Sequence, residues 1–460
     1  MNIAIVGAGL MGRLLALSLL RDNKLRDKKL DHTKSENITI TLFDKDNKLA
    51  HNSAAYAAAG LLTPLGESLH CEPNIVEMGF KSLRLWPTLL DSLDEETFFQ
   101  QTGAIMVSHE QDKGDYQRVI RHLKNNYPEQ SLQTLDRQGL LALEPEIGRN
   151  FNQGLYLPQE GQIGNRRLLS ALRKQLEKES EGTEKTNTLH WLSECEVLEI
   201  DTMELMSTVT YLHGGEKKSH DFELVIDCRG TGASHKNSQS HCATLSDLRS
   251  VRGEIFQLFA PDVHISRPIR LMHPRYQLYI APKEKGVYVV GATEIESDDT
   301  SPITVRSAME LLSAAYSVHP GFAEANIRQH VSQCRPAFSD NQPKIIVQNS
   351  LIQVNGLFRH GFLIAPVVLE QSLAVITNYI NNTNITLPHT DLLPVTVMKS
   401  DSNNRLSDGL SKDLSKGLSD DSSNNLSNNS SHSAESHSAN NSDEKFNKQQ
   451  GKESLHEHSY

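Results

Sequence analysis

Hydrophobic and polar positions along the chain follow the patterns of strands and of helices. The first element that they predict is a buried strand. Ile3, Ile5 and Val6 fall within the first six residues, and parallel strands covered on both faces are rich in such residues. The pattern then predicts a helix over 13–20 and a second apolar strand over 38–43. This order of strand, helix and strand predicts an α/β unit with a parallel sheet.

Helical and strand patterns both recur further along the chain. Apolar residues at helical spacing predict helices over 75–93, 115–126, 166–178, 304–316 and 367–379. Strand patterns occur at 101–108, 196–200, 207–212, 222–227, 253–259, 278–281 and 286–291. The dense β signals between 251 and 292 predict an antiparallel sheet. Residues 154–158 and 161–164 have the pattern of a short hairpin, and the polar stretches 335–343 and 355–366 are interpreted as loops.

Three glycines after the first strand carry the first chemical signal. Gly7, Gly9 and Gly12 have the spacing G-x-G-x-x-G between a strand and a helix, which is typical of dinucleotide binding. Gly7 permits a tight turn, Gly9 lets a pyrophosphate approach, and Gly12 lets the helix pack on the sheet. The helix N-terminus then favours the phosphates. Asp44 ends the second strand, where it can bind a ribose; the alternative is a glycine turn without nucleotide.

Two further segments favour a flat ligand, although each has an ordinary structural alternative. The small residues over 53–64 allow backbone to lie against a bulky group, but they equally suit a tightly packed helix. The strand over 222–227 runs into a second glycine turn at Gly230, which returns the chain to the nucleotide unit or simply ends a strand. A return of this kind is typical of a split, interleaved two-domain enzyme.

Composition and charge exclude several classes of protein. The net charge of −11 argues against nucleic-acid and anionic-membrane partners, because no basic stripe offsets it. The five cysteines show no metal-ligand spacing and an odd count, so we expect a reducing cytoplasm, no metal and no disulfide framework. The absence of about 18 consecutive apolar residues predicts a soluble protein. After residue 398 the chain is rich in Ser, Asn and Asp, which predicts a disordered tail over 398–460.

With these motifs, and with the segments 57–64, 227–233, 270–282, 291–297 and 359–366, the chain resembles the FAD-dependent amine and D-amino-acid oxidase family over about residues 1 to 385. Its glycine oxidase branch is the most similar. The resemblance implies a Rossmann-like FAD-binding domain interleaved with an antiparallel-sheet substrate domain, that is, α/β plus α+β. The expected FAD-binding domain comprises 1–85, 145–235 and 331–385, and the substrate-binding domain comprises 86–144 and 236–330.

The resemblance also implies the site residues. The expected cofactor-binding residues are Gly7, Gly9, Leu10, Met11, Gly12, Asp44, Lys45, Ala54, Ala55, Ala59, Gly60, Leu61, Val197, Gly230, Leu357, Phe358, Arg359, His360, Gly361, Phe362 and Leu363. The expected substrate-binding residues are Arg335, Arg359 and Tyr279. Cys334 lies near a position where some relatives attach flavin covalently, but it is out of register, so we expect non-covalent FAD.

The reaction that this resemblance implies is oxidation of glycine, or of a similar small amino acid, by hydride transfer to the flavin. The imine results, and molecular oxygen reoxidises the flavin to give hydrogen peroxide. Water converts the imine to glyoxylate unless a thiazole synthase of thiamine biosynthesis takes it. No acid–base dyad is required if the amine binds neutral. One alternative is a D-amino-acid dehydrogenase of broader substrate range with an electron acceptor other than oxygen, and another is a non-enzymatic flavin scaffold. The sequence is compatible with both a monomer and a homo-oligomer.

Arg335 is the expected carboxylate anchor for a physical reason. A carboxylate that enters an apolar pocket is costly to bury unless it is paired. The planar guanidinium donates two parallel hydrogen bonds, which also fix the direction of the substrate. From the sequence alone, a surface or structural arginine before Pro336 is the favoured interpretation of Arg335, and the family resemblance reverses that preference.

Overall fold

The structure is a computed structural model. It describes residues 1–22, 37–181, 187–234, 245–272 and 278–398, which belong to one compact unit. The predicted tail over 398–460 lies outside the described residues except for Met398, and Cys242 lies outside them too.

In chain order the described strands are β1 (Asn2–Val6), β2 (Thr39–Phe43), β3 (Leu61–Leu62), β4 (Phe99–Gln100), β5 (Ala104–Ser108), β6 (Gln133–Asp136), β7 (Gln153–Leu157), β8 (Gly161–Ile163), β9 (Thr188–Leu192), β10 (Cys195–Thr202), β11 (Ser207–His213), β12 (Glu216–Phe222), β13 (Leu224–Asp227), β14 (Arg249–Phe259), β15 (Ile269–Met272), β16 (Leu278–Pro282), β17 (Val287–Gly291), β18 (Ile295–Glu296), β19 (Asn326–Ala337), β20 (Lys344–Gln348), β21 (Leu351–Asn355) and β22 (Val395–Met398).

The described helices are α1 (Leu10–Arg21), α2 (Ala54–Ala57), α3 (Pro64–Glu67), α4 (Pro73–Asp91), α5 (Lys113–Asn126), α6 (Arg137–Leu143), α7 (Asn165–Glu181), α8 (Val305–Val318) and α9 (Gly361–Asn381). Short 3-10 turns occur at Glu110–Asp112, Gly230–Ala233, Pro320–Glu324 and Phe358–His360.

The first sheet has seven strands in the order β22-β20-β21-β13-β1-β2-β9. The five strands from β21 to β9 run parallel, which confirms the predicted α/β unit. Successive residues of β1 serve opposite faces: Ile3 and Ile5 pack in the core with α1, α4, α7 and α9, whereas Ala4 and Val6 pack with strands β10 and β11. The chain leaves β1 toward β2 on one side and returns to β13 on the other, so the strand order reverses at β1.

The second large sheet has nine strands and is antiparallel apart from the pair β15 and β5. The antiparallel prediction for 251–292 is confirmed. The loop prediction for 335–343 is wrong at its start, because Arg335 and Pro336 belong to β19 and lie opposite Val251 and Ser250 of β14. Proline lacks an N–H group, but β19 pairs only with β14 among the described residues, and an edge strand tolerates proline.

Two three-stranded sheets complete the structure, with the orders β10-β11-β12 and β3-β8-β4. The predicted hairpin over 154–164 is wrong. β7 pairs with β5 and β6, whereas β8 pairs with β3 and β4, so the turn between β7 and β8 carries the chain from the nine-stranded sheet to a smaller one.

Helix α9 begins at Gly361, six residues before the predicted start at Val367. The early turns contain Pro366, whose missing N–H group would otherwise donate to the carbonyl of Phe362. The indole N–H of Trp86, a fully buried residue of α4, donates to that carbonyl instead, at 3.0 Å. A hydrogen bond from a distant helix therefore compensates for the proline.

Helix α9 together with the turn before it, Phe358–Asn381, is long and apolar enough among the described residues to cross a bilayer by length and composition. In this fold most of that segment is buried, and α9 packs in the same core as α1 and α4. Burial within the protein therefore accounts for its apolar sequence.

Candidate active site

A cavity of about 1240 Å³ lies at the carboxyl end of β1, where the strand order reverses. Ligands of open α/β sheets bind at such a reversal point. The cavity extends to the nine-stranded sheet, and every residue that the sequence analysis proposed for the site lines it, except Gly12. Its volume exceeds the roughly 300–1,000 Å³ of ordinary small-molecule pockets. It therefore has room for a dinucleotide and a small second ligand.

The three glycines after β1 have different surroundings. Gly7 has φ +99°, and a Cβ atom there would lie 2.7 Å from the carbonyl oxygen of Cys228. A Cβ atom on Gly12 would collide with the carbonyl oxygen of Gly7. Gly9 lines the cavity, and a Cβ atom there would meet no protein atom within 4 Å. Packing thus requires Gly7 and Gly12, whereas Gly9 keeps space open at the N-terminus of α1, as a pyrophosphate needs.

Asp44 follows β2 directly and contacts the same turn. Its carboxylate accepts hydrogen bonds from the backbone N–H groups of Ala8 and of Asp46, the latter at 2.7 Å. Burial raises the pKa of Asp44, and these two hydrogen bonds oppose that effect. Each carboxylate oxygen has more than one acceptor site, and Asp44 and Lys45 both line the cavity. Asp44 is therefore placed to accept hydrogen bonds from ribose hydroxyls as well.

Arg13 stabilises the glycine turn from its buried side, a role that the sequence did not predict. This side chain is 1% exposed and donates to the carbonyls of Ala8 at 2.7 Å, Leu169 at 2.6 Å and Lys48 at 2.9 Å. Its guanidinium also lies 5.1 Å from the centre of the Trp191 ring. Burial lowers the pKa of Arg13 to about 10, so it stays charged at neutral pH. An arginine directly after the last glycine of the motif, within an apolar helix, was the available signal.

The other proposed cofactor residues come from separate segments. Ala54 and Ala55 lie in α2, and Gly60, at φ +67°, leaves no room for a side chain beside the carbonyl of Ile163. Val197 is buried in β10. Gly230 has φ +58° in the turn after β13. Ala59, Leu61, Leu10 and Met11 complete the cavity wall near these residues.

The far wall of the cavity contains the N-terminus of α9. Residues 357–363 all line the cavity, and Phe358 has φ +48° in the turn that leads into the helix. Helix α9 has 21 residues, so its unpaired N–H groups and dipole favour negative charge at this end. Burial lowers the pKa of His360 to about 4, and it lowers the pKa of His70 as well. His360 is therefore neutral at pH 7.

Arg335 lies at the polar end of the cavity on β19. Its guanidinium nitrogens donate to the carbonyl of Thr293, both at 3.2 Å, and Nη1 donates to the carbonyl of Arg252 at 3.4 Å. Among the described residues it forms no ion pair with a carboxylate. Burial lowers the pKa of Arg335, and the nearby Arg359 lowers it further. A bound carboxylate would relieve both effects.

Gly253 of β14 makes this position of Arg335 possible. A Cβ atom on Gly253 would overlap Cζ and Nη2 of Arg335 and would lie 2.7 Å from Nη1. Gly291 has the same relation to Tyr279 on the neighbouring strands, since its Cβ atom would lie 2.8 Å from the phenol oxygen. We call Gly253 and Gly291 the glycine notch. No local sequence pattern indicates these two glycines, because each contact joins residues on different strands.

Arg359 differs from Arg335 because two carboxylates already bind it. Nη2 lies 2.7 Å from the Glu67 carboxylate and Nη1 lies 2.8 Å from the Glu294 carboxylate. Glu67 also pairs with the buried Arg270 of β15. Burial by itself would raise the pKa of Glu67, but Arg270 and Arg359 together hold it below its ordinary value. Glu67 is therefore ionised and fixes both arginines.

Glu67, Arg270 and Glu294 were not proposed as site residues. The only sequence signal for Glu67 was an acidic residue that follows the apolar stretch over 61–65, and such residues are usually solvated. Glu160 lies behind them, fully buried, and accepts a hydrogen bond from the Gly66 N–H at 2.7 Å. Burial raises the pKa of Glu160 to about 8.

Comparison with known proteins agrees with this geometry. The family model described as FAD dependent oxidoreductase matches residues 2–368. A protein of Rhizobium etli named as a thiamine biosynthesis oxidoreductase, ThiO, is 31% identical over 366 residues, which are 80% of this chain and 93% of that protein. A bifunctional protein ThiO/ThiG of Synechocystis is 23% identical, over 80% of this chain and 50% of that protein. The glycine oxidase structure of Geobacillus kaustophilus superposes with a TM-score of 0.67 at 20% identity, over 85% of this chain and 97% of that one.

Proposed function

The chain belongs to the FAD dependent oxidoreductase family and is an amino-acid oxidase with FAD as its cofactor, and we propose that its substrate is glycine or a similarly small amino acid. The observation that carries the proposal is Arg335, a cationic side chain in the cavity wall that no carboxylate of the described residues neutralises. The predicted interleaved FAD fold is confirmed by the family match and the structural superposition. The domain boundaries predicted above remain part of the proposal.

The residues around the cavity fit FAD by their own geometry. Gly9 leaves open space where a pyrophosphate would lie, and Asp44 presents a carboxylate for the ribose. We propose that Val197 lies at the adenine and that residues 357–363 lie under the flavin ring. Bound FAD supplies the two-electron acceptor for oxidation of the amine to the imine.

The chain's own residues bind and orient the substrate in this proposal. Arg335 binds the carboxylate through N–H groups that face the cavity, because three bonds to carbonyls leave part of its five donors available. The Tyr279 hydroxyl is a second donor. Burial raises the pKa of Tyr279, so its proton stays in place. His360 is neutral, and the neighbouring arginines favour a neutral substrate amine over an ammonium.

The electron acceptor and the fate of the imine are proposed from the resemblance to glycine oxidases. Molecular oxygen is the electron acceptor and hydrogen peroxide is formed, and the imine supplies a thiazole synthase or hydrolyses to glyoxylate. The name of the Synechocystis relative, ThiO/ThiG, supports a partner in thiamine biosynthesis. We further propose a cytoplasmic enzyme with non-covalent FAD.

Substrate and acceptor are tested on the purified holoenzyme. Glycine, sarcosine and small D-amino acids are added one at a time without oxygen, and loss of the flavin absorbance near its visible maximum identifies the substrate. Oxygen is then admitted and peroxide is measured. Bleaching by glycine with stoichiometric peroxide supports an oxidase. Bleaching without peroxide would favour the dehydrogenase alternative, and a flavin that no amino acid bleaches would contradict the proposal.

The carboxylate anchor has its own test. Arg335→Met should retain FAD and lower kcat/KM for glycine by about tenfold to a hundredfold, the size expected for one charge-assisted hydrogen bond or more. Arg328→Met is the matched control, because Arg328 is an exposed arginine of the same strand that lies over the Phe259 ring. Activity of Arg335→Met within about twofold of the control would rule out Arg335 as the anchor.

A further inference from the structure

At the polar end of the cavity, two arginines from separate elements bind neighbouring residues of one short loop. Thr293 binds Arg335 through its carbonyl, and the next residue, Glu294, binds Arg359 through its carboxylate. Tyr279 lies beside the same loop, since its ring fills the space over Gly291. The two guanidinium groups therefore border the same small volume, next to the proposed substrate carboxylate.

The charges of the two arginines are compensated differently. Arg359 has a carboxylate on each terminal nitrogen, from Glu67 and Glu294, whereas Arg335 donates to carbonyl oxygens and pairs with no carboxylate among the described residues. With Arg270 included, three arginines face two ionised carboxylates among the described residues, because Glu160 behind them has its pKa raised to about 8 and is mostly protonated at pH 7. One positive charge is therefore left for a ligand, and a second ligand carboxylate would meet an arginine that is already occupied and the negative charge of Glu294.

We propose that Glu294 determines substrate specificity by occupying Arg359, which restricts the site to amino acids with one carboxylate. This inference rests on the proposed function, in which Arg335 binds the first carboxylate. A dicarboxylic ligand anchored on Arg335 is disfavoured by repulsion from Glu294 and lacks a cation for its second carboxylate. Without the charge of Glu294, this repulsion is removed and the positive charge of Arg359 is compensated less fully.

Glu294 is the appropriate carboxylate to change. Glu67 is buried and pairs with the buried Arg270 as well as with Arg359, so its removal would leave buried charges uncompensated. The Glu294 side chain is 49% exposed, and Arg359 keeps Glu67 when Glu294 is neutralised. Glu294→Gln therefore alters the ligand site with little effect on folding.

The test uses two probes that the enzyme cannot oxidise. Acetate carries one carboxylate and malonate carries two, and each is titrated into the holoenzyme at pH 7 and low ionic strength while the flavin absorbance spectrum reports binding. Glu294→Gln should tighten malonate by about fivefold to tenfold and change acetate by less than about twofold, a range discounted because Glu294 is half exposed. Added salt should reduce the difference.

Glu296→Gln is the matched control. Glu296 lies two residues further on, is 68% exposed and pairs with Arg249 at 2.5 Å, but it does not line the cavity. The same loss of charge should leave the ratio of malonate to acetate affinity unchanged there. Turnover of iminodiacetate relative to glycine should rise in Glu294→Gln alone.

The outcomes separate this inference from the proposed function. If acetate binds the parent enzyme and weakens in Arg335→Met, but Glu294→Gln leaves the malonate-to-acetate ratio at the control value, the role of Glu294 is wrong and the anchor stands. If acetate binds the parent and Arg335→Met enzymes equally well, the anchor itself is wrong. A rise in malonate affinity in both glutamine variants would indicate a general charge effect and would also overturn the role of Glu294.

Discussion

Replacing Gly253 by alanine separates the position of the Arg335 guanidinium from its charge. The added Cβ atom would overlap Cζ and Nη2 of Arg335, so the guanidinium must leave its place beside the Thr293 carbonyl. The arginine remains in the protein and remains charged. We therefore expect Gly253→Ala to weaken carboxylate binding even though no group that contacts the substrate has been removed.

The size of the effect follows from the hydrogen bonds that Arg335 can no longer make. A charge-assisted hydrogen bond contributes about 1.5–3 kcal/mol, and each 1.4 kcal/mol is a factor of ten, so kcat/KM for glycine should fall by about tenfold to a hundredfold. In an Arg335→Met background the alanine methyl enters space that the guanidinium no longer occupies. The same Gly253→Ala change should then cost less than about twofold, because contacting residues are not additive.

The assay is a double-mutant cycle. Peroxide formation from glycine gives kcat and KM for the parent, the two single variants and the double variant, and acetate titration of the flavin spectrum gives an affinity that does not depend on turnover. FAD content and melting temperature show whether each protein is folded and loaded. Gly114→Ala is the control, since a Cβ atom on Gly114 of α5 would meet no atom within 4 Å.

Additivity would refute the reasoning. If Gly253→Ala lowers kcat/KM and acetate affinity by the same factor with and without Arg335, the glycine acts on something other than the guanidinium. If Gly253→Ala matches Gly114→Ala in both measurements, Gly253 has no role in positioning Arg335.

Three other changes test separate parts of the structure. Gly9→Val should give a folded protein without yellow colour, because the side chain meets open cavity and not protein; full FAD occupancy in the absorbance spectrum would contradict the phosphate assignment. Trp86→Phe should lower stability by about 1–3 kcal/mol in urea unfolding, because it leaves the buried Phe362 carbonyl without its donor, and an unchanged midpoint would refute this. The pKa of Glu160 rises to about 8 in the fold, so the fold binds the extra proton and stability from this group falls as pH rises from about 4.5 to about 8. Glu160→Gln keeps the acceptor for Gly66 and should flatten the dependence of melting temperature on pH in that window; an unchanged slope would count against the assignment.

The periodic patterns predicted the elements that depend on local sequence. The first strand, the glycine turn and the strand that ends at Asp44 lie where the sequence predicted them. A strand buried on both faces requires consecutive apolar residues, and the tight turn requires glycine, so both features are visible in a short stretch of sequence. The start of α9 was missed for the opposite reason. Pro366 indicates a helix break locally, and the hydrogen bond that compensates for it comes from Trp86, about 280 residues earlier in the chain.

The polar end of the site also depends on contacts that the sequence alone does not predict. Arg335 and Tyr279 were proposed from family resemblance, and both line the cavity. The glycines that make room for them, and the carboxylates that occupy Arg359, come from segments near 67, 253 and 291–294 with no common spacing. Single charged or small residues of this kind are ordinary in any sequence. Only the folded chain shows which of them meet.

The hydrogen bond between Trp86 and the Phe362 carbonyl also gives the enzyme an optical signal of its own. The chain has two tryptophans. Trp86 donates to the carbonyl of Phe362, which lines the α9 end of the cavity. Trp191 lies against Arg13, which in turn donates to the Ala8 carbonyl in the glycine turn. Trp86 is fully buried, whereas Trp191 is partly accessible, so a soluble quencher distinguishes their emission. Fluorescence of the unlabelled protein can therefore follow, separately, events at the N-terminus of α9 and at the glycine turn.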